Sequence, residues 1–194
     1  MQIIRRSDFK TTPWKNGGGI THEAIRAPAG GDSFRWRLSV AQIDRSGPFS
    51  DFAGYDRTMV LLKGNGAALK FARGATQLLR EVGDMAQFDG ALAIQCELEN
   101  GPCVDLNLMA AKALPNVCAR VLRLQGPHAL AEAGGSTVIF PIDAPVVLRA
   151  ADRCAILERW DVALVSHAAD GAGSLAPCDG GAPALVFLAT VPDG

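Results

Sequence analysis

The chain has 194 residues, of which 48% are hydrophobic and 20% charged; that balance excludes a disordered chain and a coiled coil, and fits one large domain or two small ones sharing a core. Nineteen basic against twenty acidic side chains give a formal net charge of −1 with no block of like charge, so neither a nucleic-acid surface nor an anionic-membrane surface is indicated. No apolar run approaches the ~20 residues of a membrane-spanning helix, and residues 1–8 lack the apolar core of a secretory signal.

Along the chain, helical patterning is scarce and short β-rich runs are closed by Gly, Pro, Asn or Asp. Residues 34–41 alternate, with Phe34, Trp36, Leu38 and Val40 on one face and Arg35, Arg37 and Ser39 on the other. Residues 58–62 predict a strand, followed by Lys63-Gly64-Asn65-Gly66, whose Asn-Gly pair has hairpin chemistry and predicts a return over 67–71. Further strands are predicted at 85–88, 92–98, 104–109, 117–124, 137–140, 146–149, 155–159, 163–167 and 184–191, with one short helix in 127–133. Many short strands at close spacing predict an all-β sandwich or barrel.

A shift of 77 residues lays Leu61-Leu62 on Val138-Ile139, Leu69 on Val146, Glu81 on Glu158 and Asp84 on Asp161. Coincident apolar positions are cheap in an all-β chain, but two identical acids three residues apart are less so. The expectation is a duplicated β-barrel with a seam near 110–116, giving an N-terminal domain over 1–112 and a C-terminal domain over 113–194. The halves differ in polarity: Asp105 and Asn107 share one face of their strand, whereas the shift places Ala182 and Ala184 opposite them. A single site would therefore sit in the N-terminal half.

Pro13-Trp14-Lys15-Asn16-Gly17-Gly18-Gly19-Ile20-Thr21-His22-Glu23 is the least ordinary segment. Three glycines permit φ > 0 and close backbone approach. The stretch lacks the Gly-Lys-Ser/Thr ending and helix of a P-loop. It reads either as a tight turn or as a backbone wall of a pocket, with Asn16 and Thr21 as hydrogen-bonding partners. Residues 46–57 form a turn-rich connection with two phenylalanines and Tyr55, ending in Arg57. Arg57 would either present its planar fork to a ligand carboxylate or pair with Asp51 or Asp56. If Arg37 points into a barrel, it needs an anionic partner, either Asp105 or a ligand.

Five cysteines (Cys96, Cys103, Cys118, Cys154, Cys178) form no CxxC pair and read as reduced thiols. The three histidines, His22, His128 and His167, are far apart, and no two- or three-His metal set is indicated. Acid–base chemistry without a metal would fall to Asp105, Glu23 or His22.

Taken together, Trp14-Lys15-Asn16-Gly17-Gly18-Gly19 with Thr21 and Glu23, Trp36-Arg37-Leu38-Ser39-x-Ala41, Gly47-Pro48-Phe49-Ser50-x-Phe52-x-Gly54-x-x-Arg57, Leu62-x-Gly64-x-Gly66, Phe88-x-Gly90 and Asp105-Leu106-Asn107-Leu108-Met109 resemble the HutD/Ves family. The resemblance implies a duplicated cupin (bicupin) fold and a cytoplasmic bacterial protein linked to histidine utilisation. It also implies a regulatory role through binding of a small formylated or carboxylate intermediate of the N-formylglutamate type. Ves-type members are associated with cold and stress response. The His-His-Glu-His set by which most cupins bind metal is missing, so no metal and no cofactor are expected.

The expected function is thus metal-independent binding of a small anionic metabolite at Asn16, Gly17, Gly18, Gly19, Thr21, Arg37, Ser39, Arg57, Asp105 and Asn107, without nucleic acid or membrane partners. A homodimer is compatible with this expectation. The alternatives are a metal-independent enzyme acting on a histidine-degradation intermediate and a stress-response protein of unknown chemistry.

Overall fold

Alternating residues between turn-forming breaks fold as nineteen strands, one 3-10 turn (Arg6–Asp8) and one four-residue helix, α1 (His167–Asp170), among the described residues. The structure is a computed structural model that describes residues 1–30, 33–130, 134–178 and 182–193. In chain order the strands are β1 (Gln2–Ile4), β2 (Lys10–Pro13), β3 (Gly19–Ala27), β4 (Trp36–Ile43), β5 (Gly47–Pro48), β6 (Tyr55–Lys63), β7 (Ala67–Phe71), β8 (Gln77–Leu79), β9 (Met85–Asp89) and β10 (Ile94–Leu98). They continue as β11 (Cys103–Ala111), β12 (Cys118–Leu124), β13 (His128–Ala129), β14 (Ser136–Pro141), β15 (Val146–Ala150), β16 (Arg153–Leu157), β17 (Val162–Ser166), β18 (Gly173–Pro177) and β19 (Ala184–Val191). No helix among the described residues is long and apolar enough to cross a membrane.

The chain divides into two compact units, Phe9–Leu114 and Met1–Asp8 together with Pro115–Gly194. In the first, a six-stranded antiparallel sheet, β2-β3-β4-β11-β6-β9, accompanies a four-stranded one, β5-β10-β7-β8. Their shared core holds Ile43, Met59, Leu61, Leu69, Leu79 and Ile94. In the second, β1-β17-β14-β19-β12 accompanies β13-β18-β15-β16 over a core of Ile139, Val146, Leu148, Leu157, Val165, Leu175 and Val186. Each unit is a cupin-type pair of sheets rather than a sheet closed on itself.

The duplication is visible in the connectivity. The orders β4-β11-β6-β9 and β5-β10-β7-β8 recur as β12-β19-β14-β17 and β13-β18-β15-β16. Each unit adds its own strands at an edge: β2 and β3 lie beyond β4, and β1 lies beyond β17. The first eight residues therefore belong with the C-terminal unit, where β1 pairs with β17. Arg5 Nη1 there donates to Asp161 Oδ2 at 2.6 Å, and the terminal ammonium pairs with Asp170.

The 77-residue shift holds at β9, where Met85–Asp89 maps onto Val162–Ser166. Strand β6 is already offset, Met59 answering to Ile139, and beyond β9 the shift lapses, Ile94 mapping onto Gly173 and Cys103 onto Ala184. Longer loops in the second unit absorb the extra residues. In sheet register Asn107 faces Met59 and Ile139, the counterpart of Met59, faces Leu188, so Asn107 answers to Leu188. By the same rule Asp105, which faces Leu61, answers to Val186, which faces Pro141, so Val186 and Leu188 replace Ala182 and Ala184 as the counterparts. Both are apolar, and the polar strand remains peculiar to the first unit.

Two local expectations are corrected. The Asn65-Gly66 turn does not close a hairpin: β6 pairs with β11 and β9, whereas β7 pairs with β10 and β8 in the other sheet. Gly64 and Gly66 have φ of 111° and 114°, and a Cβ on them would lie 2.7 Å from the Pro102 carbonyl oxygen and 2.4 Å from that of Leu79. These glycines let the chain cross between sheets under tight backbone contact. The short helix expected in 127–133 is contradicted at His128–Ala129, which pair as β13 with β18, while residues 131–133 lie outside the described residues.

Candidate functional site

Side chains on one face of a sheet are set by pairing, because directly opposed residues point the same way. Across the six-stranded sheet the inward rows can be read from the register. One row runs Arg26, Arg37, Met109, Arg57, Phe88; the next runs Glu23, Ser39, Asn107, Met59, Ala86; a third runs Thr21, Ala41, Asp105, Leu61. A bulge between Glu23 and Ile25 re-phases β3. It brings Arg26 into line with Arg37, which simple alternation from Thr21 would not do.

These rows line a cavity of about 550 Å³ whose wall includes Trp14, Asn16, Thr21, Glu23, Arg37, Ser39, Phe49, Phe52, Arg57, Asp105, Asn107 and Met109. Its size lies within the range typical of small-molecule sites. Arg57 is only 6% exposed, and Asp105 1%. Arg57 Nε donates to Asn107 Oδ1 at 3.4 Å, and Asn107 Nδ2 donates to Asp105 Oδ1 at 3.2 Å. The amide thus links cation to carboxylate.

Aromatic rings surround both guanidinium groups. Arg57 lies 5.0, 5.4 and 5.1 Å from the ring centroids of Phe49, Phe52 and Phe88. Arg37 lies 4.8 and 5.8 Å from Phe34 and Phe52. Packed among rings, a guanidinium takes an anion at its hydrogen-bonding edge. Arg37 Nη2 contacts Met109 Sδ at 3.2 Å, and the buried Arg37 Nε has no hydrogen-bond partner.

Burial works against the charges of Arg57, Arg37 and Asp105. It pushes Arg57 down to about 10, opposed by the negative charge of Asp105 and reinforced by Arg37. It lowers Arg37 as well, with Glu23 opposing. It pushes the Asp105 carboxyl up from 3.8 to about 6, although the Asn107 hydrogen bond and Arg57 pull it down. Both arginines remain cationic at neutral pH.

Seven of the ten expected site residues line the cavity: Asn16, Thr21, Arg37, Ser39, Arg57, Asp105 and Asn107. Gly17, Gly18 and Gly19 do not. Gly17 takes φ +66° in the turn, and its N–H donates to the Trp14 carbonyl at 3.0 Å. Gly18 N–H donates to Asn16 Oδ1 at 3.0 Å. Gly19 is buried, and a Cβ on it would sit 2.2 Å from the Gln42 carbonyl oxygen. Gly17 thus serves the positive φ of the turn and Gly19 the close approach of β3 to β4. The turn does deliver Trp14, whose Nε1 donates to Thr21 Oγ1 at 2.8 Å.

The alternative partners for Arg57 are not used. Asp51 Oδ1 accepts from the Ala53 N–H at 2.8 Å, and Asp56 projects to the other face of β6 as an exposed residue. Sequence reasoning missed Trp14, Met109 and the ring contacts of Phe34 and Phe88. Phe49 and Phe52 carried a signal, as aromatics in a turn-rich segment feeding a strand.

The metal centre of metal-binding cupins does not fit this cavity. The two carboxylates on the inward rows, Glu23 on β3 and Asp105 on β11, are separated by β4, the other polar groups there are guanidinium, hydroxyl and amide, and the Arg37 and Arg57 cations disfavour a third. No group of three or more His, Cys, Asp or Glu capable of sharing a metal occurs among the described residues. His22 alternates onto the opposite face of β3 from Thr21 and Glu23 and contacts Thr11 Oγ1 at 2.9 Å.

Fold and site together define a two-unit cupin protein whose N-terminal unit carries an arginine-lined cavity. The chain belongs to the HutD family, which it matches over residues 6–181. It is 35% identical over 154 residues to an uncharacterised 21.2 kDa protein of the hutC 3′ region of Pseudomonas putida, covering 79% of this chain and 80% of that one. It is 32% identical over 97 residues to protein Ves of Escherichia fergusonii, covering 50% of each chain. Among solved structures it is similar to HutD from Pseudomonas fluorescens SBW25 in a formate condition, with a TM-score of 0.82, 27% identity and coverage of 100% and 99% of the two chains. A cupin 2 conserved barrel domain protein from Leptotrichia buccalis, at 10% identity and a TM-score of 0.63 over 94% and 96% of the two chains, shares the fold.

Proposed function

We propose that the N-terminal cavity captures a small metabolite bearing a carboxylate, of the N-formylglutamate type, and that this binding serves the regulation of histidine utilisation in the cytoplasm. The observation that carries the reading is the pair of guanidinium groups, Arg37 and Arg57, flanking Met109 on one row, packed among aromatic rings and free of a direct carboxylate partner within the cavity. Glu23, the other acid on the wall, lies 3.4 Å from Arg26. A carboxylate bridging the two edges would satisfy the unpartnered Arg37 Nε, and each charge-assisted hydrogen bond contributes about 1.5–3 kcal/mol. Ser39, Asn107 and Thr21 supply neutral polar groups that suit an amide or formyl group on the same ligand.

The hutC 3′ region in which the Pseudomonas putida relative lies, together with the name HutD itself, supports the link to histidine utilisation. A thermal-shift and calorimetric panel of N-formyl-L-glutamate, formiminoglutamate, urocanate, glutamate and formate tests the reading. Ligand at 100 times its Kd adds about 2.7 kcal/mol to the folded state. That is about 5–10 °C in Tm for a unit of this size. Flat melting curves at millimolar ligand across the panel would sink it.

A metal-independent enzyme is the second reading, favoured by one observation: a buried carboxyl titrating near neutrality stands in the cavity wall at Asp105. Recovery of the ligand unchanged after prolonged incubation decides for capture. Conversion of it decides for catalysis.

A further inference from the structure

Asp105 and Arg57 carry opposite charges on adjacent strands but meet only through the Asn107 amide. An ionised carboxylate only accepts, so Asp105 requires the NH2 end of that amide. The amide oxygen must then face Arg57, where it engages Nε. With Nε committed to Asn107 and three rings around the guanidinium, the outer edge of the Arg57 fork is left for a ligand.

We propose that Asp105 is a positioning residue for anion capture: acting through Asn107 it fixes the Arg57 fork toward the cavity, and binding of an anion draws a proton onto Asp105. The proposal rests on the carboxylate-binding reading above. An incoming anion replaces Asp105 as the countercharge of Arg57. A unit charge about 6 Å away at an effective dielectric of about 20 favours the protonated carboxyl by about two pH units.

Few other groups compete for that proton. On β11 the neighbour is Cys103, and on the facing sheet it is Cys96; burial pushes both thiols up to about 12, so they stay neutral. On β4 the adjacent residues are Ala41 and Ser39, with Arg37 one row on, and on β6 they are Leu61 and Met59, with Arg57 beyond. Beyond β4, Thr21 and Glu23 stand on β3, and Glu23 is next to Arg26. Asp105 is thus the titrating carboxyl next to the Arg57 charge.

Calorimetric titration with N-formyl-L-glutamate, and with formate as a minimal carboxylate, at pH 5.5 and 7.5 in two buffers of different ionisation heat tests this. The wild type should bind about tenfold more tightly at pH 5.5 and take up protons near neutral pH. Asp105→Asn keeps an acceptor for Asn107 but cannot titrate; it should hold the low-pH affinity at both pH values with no proton uptake. Asp105→Leu removes the acceptor and should weaken binding about tenfold at both; its melting curve shows whether it folds, and the Asp105→Asn profile decides the matter if it does not. Wild-type binding without pH dependence, or an unchanged pH slope in Asp105→Asn, overturns the positioning role and leaves carboxylate capture standing. Absence of binding by both probes at both pH values overturns the two together.

Discussion

Asp84 and Asp161 hold the same turn in the two units. Asp84 Oδ2 accepts from the Glu81 N–H at 2.9 Å, and Asp161 Oδ2 accepts from the Glu158 N–H at 3.1 Å. The return bonds also match, from Asp84 N to the Glu81 carbonyl at 2.9 Å and from Asp161 N to that of Glu158 at 3.0 Å. The acid pair that betrays the duplication in the sequence is therefore a turn device, repeated because each strand entering the large sheet needs its backbone donors satisfied.

The two aspartates should nonetheless differ in cost. Asp84 also accepts from Arg80 N–H at 2.8 Å at an exposed site, whereas the 3%-exposed Asp161 accepts from Arg6 N–H and Arg5 Nη1 too. Asp84→Ala should lower stability by about 1 kcal/mol and Asp161→Ala by about 3 kcal/mol. Denaturant melts of the two variants check the ranking, and equal losses would refute it.

Arg57→Lys should lose most of the affinity that Arg57→Ala loses, about ten- to a hundredfold, because an ammonium cannot reproduce a planar two-point contact among rings. Calorimetry beside melting curves reads this. Unchanged affinity in Arg57→Ala would remove the residue from the site and leave Arg37 as the anchor.

The buried Asp105 carboxyl predicts a stability difference that depends on pH. Its folded value of about 6 lies above the ordinary 3.8. The cost of ionising it is therefore absent below about pH 4, grows as pH rises through 4–6, and is complete above. Asp105→Asn should be more stable than wild type at pH 7.5, on the order of 3 kcal/mol, and the gap should close toward pH 4. Urea melts of both proteins across that window measure it; a gap that widens on acidification would contradict the assignment.

Glycines of the Trp14 turn should separate by mechanism. Gly17 takes φ +66° with open space around it, so Gly17→Ala should cost about 1 kcal/mol. Gly19→Ala places a Cβ 2.2 Å from the Gln42 backbone and must push β3 from β4, at a cost of about 3 kcal/mol or more. Because Thr21 and Glu23 ride on β3, Gly19→Ala should also weaken ligand binding, and Gly17→Ala should not.

What could be read without coordinates was what the backbone determines locally. The period of two follows from strand geometry, so the shared face of Arg37 with Ser39 and of Asp105 with Asn107 was legible from spacing alone. The duplication was legible at the Glu81–Asp84 turn and in the strand it feeds, where Met85–Asp89 matches Val162–Ser166, and drifted where loop lengths differ. Strand β3 was not legible as a strand, because its bulge breaks the alternation between Glu23 and Ile25. Only the tertiary structure decided that Ala41 lies beside Asp105 and Met109 between Arg37 and Arg57, that Gly64 and Gly66 carry the chain to another sheet, and that four phenylalanines enclose two arginines. Those relations join residues dozens of positions apart. Pairing register and sheet-to-sheet packing come from the sum of many weak contacts, and no short stretch of sequence encodes that sum.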